Sequence, residues 1–326
     1  MIDFICNQEF PKNMILVTGA NGFIGRALIK QATSLGYSVR GAVRYQTLAS
    51  KQSEFFQISS LDGNTDWSRA LRSCNIVIHL AAMAHNYAGL KSEELANFMK
   101  INCEASINLA RQAHKAGVKR FIFLSSTGVM GPQVTSGFSY GPDSHPEPHD
   151  PYTRSKAYAE QELLKLSNEL AMEVTILRVP VVYGPNAPGS IGSLTKAIKL
   201  GIPLPLGGLL NRRHLISIDN LVELMVSCIS SSASANGVFI ASDDEVLSTS
   251  DLCYLCGHFA DKRPRLISMP PRLLMFIAHV LGKQKKAATL LGDLELDSSR
   301  TYSHFKWSPG YSPSKHVLDI KNSNSP

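Results

Sequence analysis

The chain has no apolar run long enough to cross a bilayer. Its most apolar stretch, Leu273–Leu281, is far too short to span one, so no stable membrane insertion is expected. It reads as a buried helix of the second half, with association at a membrane surface as the less favoured alternative. Residues 1–13 have neither a basic start nor a long apolar region, so no secretory signal is expected. They read as a loose N-terminal extension before a fold that begins at Met14, with the cytoplasm as the default compartment. Cysteine is sparse: there are six, mostly inside apolar segments. Cys253-Tyr-Leu-Cys256 has no second pair to complete a zinc site, so reduced core thiols and no metal are expected. Charge is modest, at 18% against 44% hydrophobic residues, which describes a globular protein with ample core. What charge there is favours one sign, with a formal net value of +7. Lys and Arg read as scattered, so a phosphate-bearing small molecule, and not nucleic acid, is the expected partner. Internal repeats and low-complexity tracts are lacking too, apart from a short Ser/Ala-rich turn at Ser230–Ala235.

What is present begins at Met14–Gly25, MILVTGANGFIG. Met14–Val17 is a continuous apolar run, as in a parallel strand buried on both faces. Thr18 opens a turn carrying Gly19, Gly22 and Gly25, and an apolar-periodic helix follows from about Phe23 to Leu35. Strand, glycine turn and helix start together make an anion site, because unpaired backbone N–H groups converge there. Further strands are expected at Tyr37–Arg44, Asn75–Leu80, Arg120–Leu124 and Val174–Leu177, with helices at Glu93–Ala116 and Tyr152–Leu170. That alternation means an α/β doubly wound parallel sheet of the Rossmann type.

Arg44 ends the second strand, 19 positions after Gly25, where this fold meets the adenosine ribose. Arg44, with Arg40 on the same strand face, offers charge to a 2′-phosphate and tilts the choice between NAD and NADP toward NADP. Pro132–Pro151 reads as a lid over a site. Past Arg178 the rhythm breaks, and Leu215–Ile218 and Gly237–Ala241 look like returning strands. Residues 14–178 with about 213–242 are therefore expected to form the dinucleotide-binding domain. Residues of about 179–212 with 243–326 form a smaller, interleaved substrate-binding region.

The chemistry concentrates in Tyr152-Thr-Arg-Ser-Lys156, whose one-turn spacing puts Tyr152 and Lys156 on one helix face. A phenol of pKa near ~10 is a poor base. A neighbouring ammonium and an oxidised nicotinamide would lower it, and Ser126 at a strand end could share the substrate oxygen. Such a trio takes a proton from an alcohol while a hydride leaves its carbon, or the reverse.

TGANGFIG, HLAA, SSTGVMG, YTRSK and LRVPVVYGP, in this order and spacing, resemble the extended short-chain dehydrogenase/reductase superfamily, in its nucleotide-sugar epimerase/dehydratase branch. The likeness covers nearly the whole chain from Met14 and runs toward UDP-hexose 4-epimerases and UDP-4-keto-sugar reductases. The resemblance implies Tyr152 as acid/base, Ser126 as its partner, and Lys156 on the ribose hydroxyls. It implies pyrophosphate binding by Gly19, Gly22 and Gly25 with the amides of Phe23 and Ile24. Leu80, Ala81, Ala82 and Asn102 would line the nicotinamide side, and Ser126 and Thr127 would meet the sugar. Arg213 would grip a UDP diphosphate. Asp62 lies two residues beyond Ser60, which holds the place of the family's adenine-contacting Asp. Thr127 and Gly128 stand where sugar dehydratases carry an Asp-Glu pair, so no acid is placed to expel a hydroxyl. The implied partner is a UDP-sugar, with NAD or NADP as cofactor and a homodimer formed through the two long helices. A reductase of a UDP-4-keto-6-deoxy-N-acetylhexosamine uses the same residues. A non-catalytic dinucleotide-binding sensor would ordinarily lack the Tyr/Lys pair kept here.

Overall fold

The computed structural model describes residues 14–44, 54–84, 91–135, 137–170, 172–282 and 284–322; residues 1–13 lie outside this set. The chain runs β1 (Met14–Thr18), α1 (Phe23–Ser34), β2 (Ser38–Val43), β3 (Glu54–Gln57) and β4 (Cys74–His79). It continues through α2 (Lys91–Phe98), α3 (Ala105–Lys115), β5 (Arg120–Ser126), α4 (Pro151–Glu169) and β6 (Glu173–Val179). A seven-stranded sheet takes the order Gly237–Ile240, β6, β5, β4, β1, β2, β3, with every pairing parallel. From β1 the chain builds outward through β2 and β3, then crosses back to lay β4 on the other side of β1. The crevice at the carboxyl ends of β1 and β4 is therefore the switch point at which this kind of sheet binds ligands.

The apolar strands are explained by burial on both faces. Ile15 and Val17 pack into one core layer, and Leu16 into the layer across the sheet. Ile76 and Ile78 join the first layer, and Val77, Phe121 and Phe123 the second. A third cluster around Tyr183, Ile191, Leu215 and Leu255 supports the later part of the chain. The CxxC thiols of Cys253 and Cys256 are buried on the helix Thr249–Ala260, Cys256 within that cluster, and burial pushes them up to about 12 and about 11.

Four expectations need correction. Leu215–Ile218 does not return to the main sheet: Ile216–Ser217 pairs with Val182–Tyr183 in a separate two-stranded sheet, while Gly237–Ile240 does return, as an edge strand. The helix read as Glu93–Ala116 is broken by a π-helical turn, Met99–Glu104, between α2 and α3. The loop Pro132–Pro151 is stitched down rather than left as a free flap. Val134 and Tyr140 bridge to Asp293 and Leu296, and Asp143 pairs with Arg300. Finally, Leu273–Leu281 is not a buried helix. The helix Pro271–Val280 has no buried residue at all.

Candidate active site

At the switch point, Gly19 takes φ +65°, and Gly22 N–H bonds back to the Gly19 carbonyl at 2.9 Å. A Cβ on Gly19 would stand 2.9 Å from Ala81 N, and one on Gly25 would stand 2.3 Å from the Gly19 oxygen. Side chains at either place would wedge the turn away from β4 or from α1. Gly22 is the N-cap of α1 and brings no side chain to its amides. The N–H groups of the first turn, those of Phe23, Ile24 and Gly25, therefore remain for an anion. This cradle fits a dinucleotide pyrophosphate.

The end of β4 is locked to that turn. The Thr18 hydroxyl meets His79 Nδ1 at 2.7 Å and accepts the Ala81 N–H at 3.1 Å, while His79 Nε2 meets Ser106 Oγ at 2.9 Å. Burial, then the Lys156 charge, holds the His79 pKa down at about 3, so the ring is a neutral strut. Leu80 and Ala81 are half-buried and Ala82 is exposed, following the strand end in order.

Asn102, fully buried on the π-helical turn, does not open into the crevice. Its amide accepts from Met83 N–H at 2.8 Å and donates to the Met83 carbonyl and to Ser155 Oγ, both at 3.0 Å. It ties the loop after β4 to the helix that carries Tyr152.

That helix, α4, is started by a capping box. Asp150 accepts the Thr153 N–H at 2.7 Å, and Pro151 opens the first turn. Tyr152, Lys156 and Glu160 then fall on one face. Ser126 Oγ, fixed by Gly128 N–H at 3.1 Å, stands near enough to the Tyr152 hydroxyl to draw its pKa down, and the Phe98 ring stands edge-on to Tyr152 at 6.2 Å. Thr127 follows Ser126 and is buried.

Electrostatics in this trio depart from expectation. The Tyr152 pKa is raised to about 12, first by burial and then by the Asp150 charge, with only the Ser126 bond lowering it. The Lys156 ammonium is turned inward. Its Nζ donates to the Leu124 carbonyl at 2.8 Å and lies 4.3 Å from the centre of the Phe123 ring. Burial brings Lys156 down to about 7, with Glu160 opposing the shift. Behind it, Glu160 accepts from Ser125 Oγ and from Arg178, whose Nη2 lies at 2.8 Å.

Two cationic expectations part ways. Arg40 offers no charge at the strand end: it binds Glu54 at 2.9 Å and the Ala70 and Arg72 carbonyls at 2.7 and 2.8 Å. Arg44, four residues nearer the carboxyl end, is exposed. Arg213 is buried and gives Nη1 to the Thr289 and Gly292 carbonyls at 2.6 and 2.8 Å. Among the described residues no carboxylate pairs with it within 4.0 Å. Asp62 sits beyond β3, its carboxylate accepting Asn64 N–H at 2.9 Å and facing Lys100 at 3.6 Å. The Asn64 bond leads in holding its pKa down.

A family model for the NAD dependent epimerase/dehydratase family matches residues 15–240, from the glycine turn to the last strand of the sheet. The chain belongs to this family. It is 35% identical over 305 residues to UDP-glucose 4-epimerase of Vibrio cholerae, covering 93% of this chain and 92% of that one. Its fold is shared with UDP-glucuronic acid 4-epimerase of Bacillus cereus in complex with NAD, at TM-score 0.74 and 21% identity over 93% and 94% of the chains. UDP-glucose 4-epimerase of Thermus thermophilus with NAD gives TM-score 0.72 and 22% identity over 95% and 99%. As an enzyme of this family, of the extended short-chain dehydrogenase/reductase type, the chain sets the glycine turn at the end of β1 and Ser126 at the end of β5, with Tyr152 and Lys156 on α4 beside β5. Reading the sequence brought Ser125 to the strand end without giving it a role and missed His79, Ser155, Glu160 and Arg178, which with it position those groups from behind. Only the one-turn step from Lys156 to Glu160 was there to point at them.

Proposed function

We propose that this enzyme transfers hydride at C4 of a UDP-sugar and acts as a UDP-hexose 4-epimerase. When bound, the nicotinamide supplies the acceptor and donor of that hydride and, oxidised, a positive ring. Tyr152 holds its proton at neutral pH, so in the protein alone it is set to protonate a 4-keto oxygen. It acts as base on the 4-hydroxyl once positive charge is brought beside it. Ser126 holds the same substrate oxygen. Lys156 reaches the ribose hydroxyls from the floor of the site, and Asp62 meets the adenine end. Residues of about 179–212 and 243–326 form the substrate region in this reading, and α3 and α4 the face of a homodimer.

The observation that carries the substrate class is Arg213. Among the described residues this buried guanidinium is held by two backbone carbonyls, with the Asp293 charge acting on it from beyond ion-pair distance. Such a cation is costly unless an anion completes it, and its planar fork suits a diphosphate. Calorimetric titration of UDP, with cofactor present, should show binding by the wild type and at least ~10-fold weaker binding by Arg213→Ala, the loss expected for a charged hydrogen bond. Dinucleotide affinity should be unchanged. No UDP binding by the wild type would remove the sugar-nucleotide reading.

A second reading, an NADPH-dependent reductase of a UDP-4-keto sugar, is favoured by one observation, the exposed Arg44 at the end of β2. If Arg44 meets a 2′-phosphate, Arg44→Asp should weaken NADP by about 1.5–3 kcal/mol and NAD far less. Equal losses for both cofactors would leave the epimerase reading alone.

A further inference from the structure

The helix Pro271–Val280 wears its apolar residues on the outside. Leu273, Phe276, Ile277, Val280 and Leu281 recur at steps of three and four, hence on one face, and are 39–68% exposed. A surface helix ordinarily turns such a stripe toward the core. This one packs against the following helix, Gln284–Leu291, where Leu290 is exposed as well. The basic residues, read above as scattered, are concentrated here. From Lys262 to Gly292 the chain has seven Lys and Arg and no Asp or Glu. Removing those seven from the 33 Lys and Arg leaves 26, equal to the 26 Asp and Glu, so the whole net charge of +7 lies in this one segment.

We propose that the Pro271–Leu291 helical pair is a docking surface for an anionic lipid bilayer. The apolar stripe seats at the boundary of headgroups and acyl chains, and the basic residues around it meet lipid phosphates. Ten residues of helix reach roughly 15 Å, half a hydrocarbon core, so the helix lies on the membrane and does not cross it. Charge decides between occupants. A second copy of this chain would bring the same basic segment, with its whole excess of positive charge, against itself, whereas an anionic surface complements it. The second helix of the pair is fastened to the Asn211–Arg213 segment, through the Thr289 carbonyl to Arg213 and the Leu290 carbonyl to Asn211 and Thr249. Docking therefore sets Arg213 close to the bilayer and, on the function proposed above, the diphosphate end of the substrate with it.

The test is co-sedimentation of the full chain with vesicles of phosphatidylcholine, with and without phosphatidylglycerol, at about 0.1 M salt. The wild type should partition at least ~10-fold better onto the anionic vesicles, and binding should fall as salt rises. Phe276→Glu/Val280→Glu, at two exposed positions, should lose at least ~10-fold of that binding while UDP affinity is kept. Arg272→Glu should show a smaller loss and a shallower salt dependence, which keeps the test open if the double variant folds poorly. The proposal is overturned if the wild type ignores both vesicles or if the variants bind as it does. It is equally overturned if the wild type is a dimer that Phe276→Glu/Val280→Glu splits while vesicles are ignored.

Discussion

Replacing Arg178 by Met should destabilise the protein by about 3–5 kcal/mol, the cost of leaving a buried carboxylate without its cation. The size follows from the geometry. The Arg178 and Glu160 side chains are 5% and 4% exposed, and the guanidinium gives Nε and Nη2 to Glu160 over 2.8–3.3 Å. After the substitution the Ser125 hydroxyl would be the one hydrogen-bond donor left to that carboxylate among the described residues, with the Lys156 charge acting on it from farther off, and the Pro142 carbonyl would lose its Nη1 donor. Equilibrium urea unfolding, followed by circular dichroism, reads the loss. Glu160→Gln/Arg178→Met should lose less than Arg178→Met alone, because no charge is left stranded. A loss below about 1 kcal/mol for Arg178→Met, the worth of an exposed pair, would refute the reasoning. The network also has a functional reading. Glu160 opposes the burial that lowers Lys156, so Glu160→Gln should take the Lys156 pKa below about 7. The pH at which cofactor affinity falls off should then move in the acid direction.

Two further outcomes are expected. Tyr152→Phe keeps the ring and removes the ionisable oxygen, so turnover of a verified substrate should fall by ~10² or more while dinucleotide binding survives. Near-normal turnover would remove Tyr152 from the chemistry. In the protein without cofactor, Lys156 gives up its proton at about 7, whereas in the unfolded chain it keeps that proton to 10.5. Between those values the unfolded state binds more protons, so this group makes stability rise with pH across that window. Lys156→Met should abolish that increment in the melting temperature.

The parts of the molecule legible in the sequence are those set by local rules. Ile15–Val17 and Ile76–Ile78 read as strands because both faces are buried, which leaves the run unbroken by polar residues. The glycine turn and the Tyr152/Lys156 step read through spacing alone. What escaped depends on partners distant in the chain. Arg40 and Arg44 share a strand face, yet only the structure shows Glu54 on the neighbouring strand claiming Arg40. Lys156 was expected to depress Tyr152, but the Leu124 carbonyl and the Phe123 ring draw its ammonium inward. For Leu273–Leu281 apolar composition alone suggested burial, and only the structure shows that the residues face outward.

The π-helical turn Met99–Glu104 stores one extra residue between Phe98 and Ala105. A π turn carries one residue more than an α-helix of the same course. Losing a single residue there would let the backbone close into regular α-helix while α2 and α3 keep their course, so the Phe98 ring would stay beside Tyr152. Asn102 stands on the bulged turn itself, and its amide would lose its reach to Met83 and Ser155. A one-residue deletion in the turn should therefore spare the helix and free the loop after β4 from α4.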